Sequence, residues 1–131
     1  MHFELVKLEH KQIADHFRAG GSTDDMPQRE EYLRVIEQVV KQPLEGFRDW
    51  ATVWREGDEF VAYNDPNAKV LGTYYPYADE HSCCVTYDGN RVGALTGMIH
   101  VWDPETTHTV FRQGPQIEGR ERVAVYFTLS S

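Results

Sequence analysis

One short stretch in the second half of the chain holds an unusual density of residues that bind metals. The segment HVWDPETTH contains His100, Asp103, Glu105 and His108 within nine residues. Imidazoles and carboxylates are common ligands of zinc and non-haem iron. Considered alone, the segment is more typical of an exposed turn between two strands, because Asp103-Pro104 is turn chemistry.

The two cysteines form a second group that could do chemistry. Cys83 and Cys84 are adjacent in the sequence, and neighbouring cysteines form an intramolecular disulfide only with severe strain. They have neither a Cys-x-x-Cys spacing nor a place at a predicted helix N-terminus, which disfavours a metal site or an activated nucleophile. We therefore expect free thiols with a buried structural role, in a reducing compartment such as the cytoplasm.

Charge and hydropathy exclude two classes of partner. The chain has 13 Lys and Arg residues against 21 Asp and Glu residues, which gives a formal net charge of −8. A nucleic-acid backbone would be repelled by this charge. No apolar stretch approaches the roughly 20 residues that span a bilayer. We expect no binding to nucleic acid and no membrane segment.

The sequence predicts a single domain, residues 1–131, with two parts that differ in secondary structure. Residues 1–49 are predicted to be mainly helical and residues 50–131 mainly β. A strand-like lead-in precedes a first helix, whose apolar spacing is set by Ile13, Ala14 and Phe17. A second helix is predicted to begin near Pro27 and to end at Pro43 and Gly46. Its apolar stripe consists of Tyr32, Val35, Ile36, Val39 and Val40.

From Trp50 onward, short runs of β-branched and aromatic residues alternate with turn residues. This pattern predicts about eight strands, at 50–55, 59–63, 69–75, 82–87, 91–96, 98–102, 107–112 and 121–129. The clearest hairpin is CVTYDGNRVGAL, in which Asp88-Gly89 suits a tight turn. The predicted fold class is α+β, with two N-terminal helices packed on a β-sandwich or barrel.

The C-terminal run GMIHVWDPETTHTVFRQGPQIEGRERVAVYF shows a family resemblance. It contains Gly97, a strand, Pro104 in a turn, His108, and then Arg122 fourteen residues later. This order resembles the C-terminal signature of the Fe(II)/2-oxoglutarate-dependent dioxygenases, which have a double-stranded β-helix, the jelly-roll barrel of the cupins. The resemblance implies that His108 is the distal metal ligand and that Arg122 holds the carboxylate of the co-substrate.

The upstream segment VWREGDEFVAYNDPN is similar to the second motif of that family, an aromatic residue, a glycine and then H-x-D-P. Trp54, Gly57 and Asp65-Pro66 match, and Asp65 precedes His108 by 43 residues. Tyr63 stands where the family has its first metal-binding histidine. Two histidines and a carboxylate leave three positions open on Fe(II) for oxygen and co-substrate. A tyrosine could replace the imidazole as a phenolate, which requires the metal to lower a phenol pKa of about 10.

The resemblance also implies a set of pocket residues. Trp54, Tyr74 and Tyr75 are candidates for the lining of the pocket beside the metal. Arg120 is an alternative to Arg122, because the two lie on the same face of a predicted strand. The implied cofactors are Fe(II) and 2-oxoglutarate, with Asp65 and His108 on the metal. The substrate would be a small molecule or a protein.

Two other functions fit the sequence. The barrel could be a catalytically silent binding module, such as an inhibitor or immunity-type protein, that meets a basic protein through its acidic surface. It could also be a cone-shaped, cystatin-like pocket protein in which a curved sheet wraps around helices, as in some isomerases and hydrolases. The identity of residue 63 separates the first of these from an oxygenase.

Overall fold

The structure is a computed structural model. It describes residues 2–55, 59–60, 68–79, 83–85, 91–102, 110–112 and 121–130, with the backbone alone at 59–60, 83–85, 91–92, 102 and 110–112.

The N-terminal part consists of β1 (His2–Leu5), α1 (His10–Arg18) and α2 (Arg29–Val40). Both predicted helices are confirmed. The backbone N–H of Glu9, before α1, donates a hydrogen bond to the side-chain oxygen of Gln28, before α2, at 2.6 Å. This hydrogen bond links the N-termini of the two helices. α2 ends at Val40, three residues before Pro43, because the next residue, Lys41, has a left-handed backbone with φ 59°.

Strands make up the remainder of the described chain. They are β2 (Arg48–Arg55), β3 (Glu59–Phe60), β4 (Ala68–Ala78), β5 (Cys83–Val85), β6 (Arg91–Gly93), β7 (Met98–Trp102), β8 (Val110–Arg112) and β9 (Glu121–Ser130). Each predicted strand range overlaps one of them. β5 and β6 pair antiparallel, as the predicted hairpin requires, while its Asp88-Gly89 turn lies outside the described residues. Both cysteines belong to β5.

The described strands form two sheets. The larger sheet has the order β1-β7-β4-β9-β2 and the smaller has the order β3-β8-β5-β6. Every pair in both sheets is antiparallel. The α+β class with antiparallel sheets is therefore confirmed.

One face of the five-stranded sheet is covered by the two helices. β9 alternates Val123, Val125, Phe127 and Leu129 toward that face, and all four are buried. Their partners include Ile13 and Phe17 of α1 and Tyr32, Ile36 and Val39 of α2. This packing explains the apolar stripes of both helices, because each stripe faces a sheet that is apolar on the same side.

The opposite face of the same sheet carries a second cluster of buried side chains. Its members are Trp54, Ala68, Leu71, Tyr75, Ala94, Met98, Ala124 and Tyr126. β9 is thus buried on both faces, which is why its second face also carries apolar residues such as Ala124 and Tyr126.

A bulge in β4 sets which residues face this second side. Between Tyr74 and Tyr77 the register of β4 against β9 shifts by one residue. The shift includes Pro76, whose missing N–H makes it unsuited to a regular ladder position. After the bulge, Ala78 lies opposite Arg122.

Candidate functional site

The face of the five-stranded sheet that points away from the helices carries most of the buried polar side chains. Thr73, His100, Arg122 and Thr128 all lie on this face and are at most 2% exposed. They come from three neighbouring strands, β4, β7 and β9. Because a buried polar group costs free energy unless it makes hydrogen bonds, a face of this composition is more typical of a binding site than of a plain core.

Arg122 is a fully buried charged residue of this face. It is the second residue of β9, lies opposite Trp54 of β2, and is 0% exposed. A guanidinium offers several N–H donors in one plane and makes a bidentate contact with a carboxylate. Its burial beside an aromatic side chain suits it to an anionic group held away from water.

The start of β9 is held in place from the other face by Glu121. Its carboxylate accepts a hydrogen bond from Nε of Arg18 at 2.5 Å and one from Nη1 of Arg55 at 3.1 Å. Arg18 also pairs with Asp15 at 2.7 Å and lies over the ring of Tyr77. Helix α1 and strand β2 are thus both linked to the residue that precedes Arg122.

Aromatic side chains line the same face along β2 and β9. Nε1 of Trp54 donates a hydrogen bond to the hydroxyl oxygen of Tyr126 at 2.7 Å. The ring of Trp50 stacks on Tyr126, with 5.8 Å between ring centroids. Tyr75 is fully buried and belongs to the same cluster as Trp54. Rings held in this way form a rigid apolar wall.

His100 lies in a row of facing residues that crosses the sheet. Thr73 is opposite His100 on one side and opposite Tyr126 on the other. Tyr75 and Phe3 both meet the His100 imidazole edge to face, at 5.9 and 5.7 Å. Burial lowers the pKa of His100 to about 4. The side chain is therefore neutral near pH 7.

Three of the residues predicted for the site share this face. Trp54 and Arg122 lie directly opposite each other, and Tyr75 lies on the neighbouring strand β4. Tyr63, Asp65 and His108 lie outside the described residues, as does Arg120. Within the parts of the chain that the structure describes, no three His, Cys, Asp or Glu side chains form a group that could hold a metal.

One candidate for the lining of the pocket lies on the other face of the sheet. Tyr74 was a candidate together with Tyr75, but neighbours on a strand point to opposite faces. Tyr74 packs on the helix side and hydrogen-bonds to Nδ1 of His10 at 2.6 Å. His100 lies in β7, within the predicted strand 98–102, and is fully buried, although the segment HVWDPETTH considered alone is more typical of an exposed turn.

Sequence reasoning also missed residues of this face. Thr73, Tyr126 and Trp50 were not singled out, although each occupies an alternate position of its strand in phase with a predicted site residue. The alternation of side chains between the two faces of a strand could have identified them, because it places Trp50 on the face of Trp54 and Tyr126 on the face of Arg122.

None of the helices that the structure describes is both long enough and apolar enough to cross a membrane.

Comparison with protein-family models gave no match, and neither did comparison with curated proteins. Among solved structures, the chain is similar to a prolyl-4-hydroxylase from Pseudomonas putida, with a TM-score of 0.61 at 14% sequence identity. The similarity covers 98% of this chain and 86% of that one. A protein from Neisseria meningitidis is also similar, with a TM-score of 0.45 at 11% identity, over 75% of this chain and 96% of that one. The first similarity shows that the chain shares the fold of the Pseudomonas putida hydroxylase.

Proposed function

We propose that the protein is a small non-haem iron, 2-oxoglutarate-dependent oxygenase. In this proposal the two sheets face each other as a double-stranded β-helix, and the buried polar face of the larger sheet forms the inner wall of the pocket. Apart from the β5–β6 hairpin, the chain from β2 onward alternates between the sheets, with β2, β4, β7 and β9 in the larger and β3, β5, β6 and β8 in the smaller. Such alternation is typical of a double-sheet jelly roll.

The pairing of β3 with β8 is the observation that carries the proposal. The two strands are antiparallel, with Glu59 opposite Arg112. Continuing this register by four residues would bring position 63 opposite position 108, because antiparallel partners advance in opposite directions. We propose that Tyr63 and Asp65, after β3, thereby meet His108, just before β8. The support for this arrangement is the register of the described residues of β3 and β8.

Two of the three proposed ligands are of the kinds that bind non-haem iron. A carboxylate at Asp65 and a neutral imidazole at His108 are ordinary ligands of non-haem Fe(II). Tyr63 departs from the usual imidazole, and it would bind as a phenolate or leave its position to water. A metal held there together with 2-oxoglutarate would supply the oxidation of a C–H bond by oxygen.

Arg122 fits the role of an anchor for the co-substrate. Its guanidinium would hold the distal carboxylate of 2-oxoglutarate, since both groups are planar and can share two hydrogen bonds. Trp54 and Tyr75 would exclude water from this contact, which strengthens it by lowering the local dielectric. A proline-containing peptide is the first substrate to test, because the similar structure is that of a prolyl-4-hydroxylase.

The proposal is tested by thermal unfolding of metal-free protein, with and without Mn(II) or anaerobic Fe(II) plus 2-oxoglutarate. A ligand at 100 times its Kd stabilises the folded state by about 2.7 kcal/mol, so we expect a clear rise in Tm. Arg122→Gln should retain the response to metal and lose the added response to 2-oxoglutarate. Arg122→Lys, which keeps the charge, should retain part of the added response.

Two further variants isolate the metal ligands. Asp65→Ala should abolish the response to metal, while Tyr63→His should strengthen Fe(II) binding by about tenfold or more, because it restores two imidazoles and one carboxylate. Circular dichroism confirms that each variant is folded. The oxygenase proposal fails if the folded wild type responds to neither metal nor metal plus 2-oxoglutarate.

A catalytically silent binding module is the second candidate. Tyr63 favours it, because loss of the first imidazole is one way in which such a site would lose its iron. The net charge of −8 would then favour a basic protein partner. This candidate is supported if Tyr63→His binds metal and the wild type does not.

A further inference from the structure

The outer edge of the five-stranded sheet carries exposed apolar side chains. β1 is the terminal strand of that sheet, and among the described strands it pairs with β7 alone. Phe3 is 58% exposed and Leu5 66%. The N–H of Val6, just after β1, donates to the carbonyl of Gly97, just before β7, at 2.8 Å. An apolar sheet edge of this kind is a template for another strand.

The backbone direction of β1 shows which of its residues face outward. In an antiparallel strand, alternate residues direct both N–H and C=O to the same neighbour. Val6 directs its N–H toward β7, so Glu4 and His2 do the same. Phe3 and Leu5 therefore direct their N–H and C=O groups to the open edge. These are the groups that an added strand would pair with.

The residue types of β1 select a partner strand of the same sequence. Two copies related by a two-fold axis at Phe3 would place Phe3 opposite Phe3 and His2 opposite Glu4 twice. A two-fold axis at Glu4 would instead place two carboxylates directly opposite each other, which is unfavourable. Within one strand, Nε2 of His2 already lies 3.3 Å from a carboxylate oxygen of Glu4. The pairing at Phe3 would place the two His2 imidazoles and the two Glu4 carboxylates in alternation, so that each carboxylate faces an imidazole of the other copy.

We propose that two copies of the chain associate through the outer edges of β1, antiparallel and centred on Phe3. The two five-stranded sheets would join into one continuous sheet. Phe3 of one protomer would face Phe3 of the partner subunit, and each Leu5 would lie diagonally beside the other copy's Phe3. A strand of four residues gives a small interface, so the dimer dissociates on dilution.

Disulfide trapping tests the register. In a hydrogen-bonded antiparallel pair the Cα atoms lie about 5.5 Å apart, within the range that a disulfide can bridge. Phe3→Cys should therefore form a disulfide-linked dimer under mild oxidation. Mass spectrometry after digestion should detect two copies of the peptide that contains residue 3, linked to each other. Leu5→Cys is the matched control. In this register its two copies lie well beyond the roughly 7 Å limit for a disulfide, and we expect at least tenfold less linked dimer.

Sedimentation over a wide concentration range tests the pairing of charges. The wild type should change from monomer to dimer as concentration rises. Glu4→Lys should weaken the dimer by about tenfold, because it replaces the carboxylate that would face His2 of the other copy with an ammonium group. The double variant with His2→Glu and Glu4→Lys should restore it. Both positions are exposed, so these variants should fold normally.

Two results would overturn the inference. One is a wild type that stays monomeric at every concentration and gives no linked dimer with Phe3→Cys. The other is a linked dimer that forms with Leu5→Cys in preference to Phe3→Cys. The metal and co-substrate measurements are independent of both results.

Discussion

At the scale of single residues, the buried imidazole of His100 links the candidate site to pH. Burial lowers its pKa in the folded state to about 4, against about 6.5 in an unfolded chain. Between these values the unfolded state binds more protons than the folded state. Stability should therefore fall as pH is lowered from about 6.5 to 4, by at most about 1.4 kcal/mol per pH unit.

The free energy of denaturant unfolding at several pH values checks this prediction. His100→Asn should remove the part of the slope that His100 contributes, so that the wild type and the variant converge at low pH. Thr73→Val, next to His100 and equally buried, has no titrating group and should lower stability by the same amount at each pH. An unchanged slope in His100→Asn would show that other groups control the pH dependence.

At the scale of elements, one carboxylate joins α1, β2 and β9. Glu121 accepts hydrogen bonds from Arg18 and Arg55, and its side chain is 16% exposed. Hydrogen bonds to charged groups contribute more than neutral ones. We expect Glu121→Gln to cost about 1 to 3 kcal/mol of stability. Under the proposed function it should also weaken the binding of 2-oxoglutarate, because the backbone of the adjacent Arg122 is held less firmly.

Glu30→Gln provides the control for this prediction. Glu30 has an 89% exposed side chain at a distance of 4.0 Å from Arg34. The Glu30→Gln substitution removes one negative charge, as Glu121→Gln does, but from a solvated helix surface, where an ion pair contributes little. Chemical denaturation should show little change. Equal effects of the two substitutions would mean that net charge, rather than the links to Arg18 and Arg55, determines stability.

At the scale of the whole molecule, the helices and the sheet share one apolar core. Residues of α1 and α2 pack against β4, β7 and β9 in a single cluster. We therefore expect one cooperative unfolding transition, with a heat-capacity change of about 12 to 15 cal/mol/K per residue. Calorimetry of the whole chain checks this, through equal calorimetric and van't Hoff enthalpies.

A chain that begins at residue 50 should fail to fold in isolation. Removal of both helices would expose Val123, Val125, Phe127 and Leu129 on one side of the central strand, and an apolar sheet face of this size promotes aggregation. A folded and soluble fragment would contradict the single-domain prediction.

The local content of this fold could be predicted from its sequence. Helical spacing at Ile13 and Phe17, and at Ile36 and Val39, identified both helices, since a 3.6-residue period is a local property. Turn residues identified the strands for the same reason, as in β7, whose predicted range matches the observed one. The helix ends followed local rules less closely, because the left-handed backbone of Lys41 rather than Pro43 stops α2.

Tertiary structure decided which residues meet. Sequence alone gave Trp54, Tyr75 and Arg122 as candidates, but it also gave Tyr74, which the alternation along β4 turns toward the helices. It did not indicate that His100 is buried, because the burial depends on strands β1 and β4 on either side of β7. Strand order depends on contacts between residues far apart in the chain, and these have no signature in local spacing. The chemistry of the candidate residues was therefore readable from the sequence, whereas their shared face came from the order of the strands.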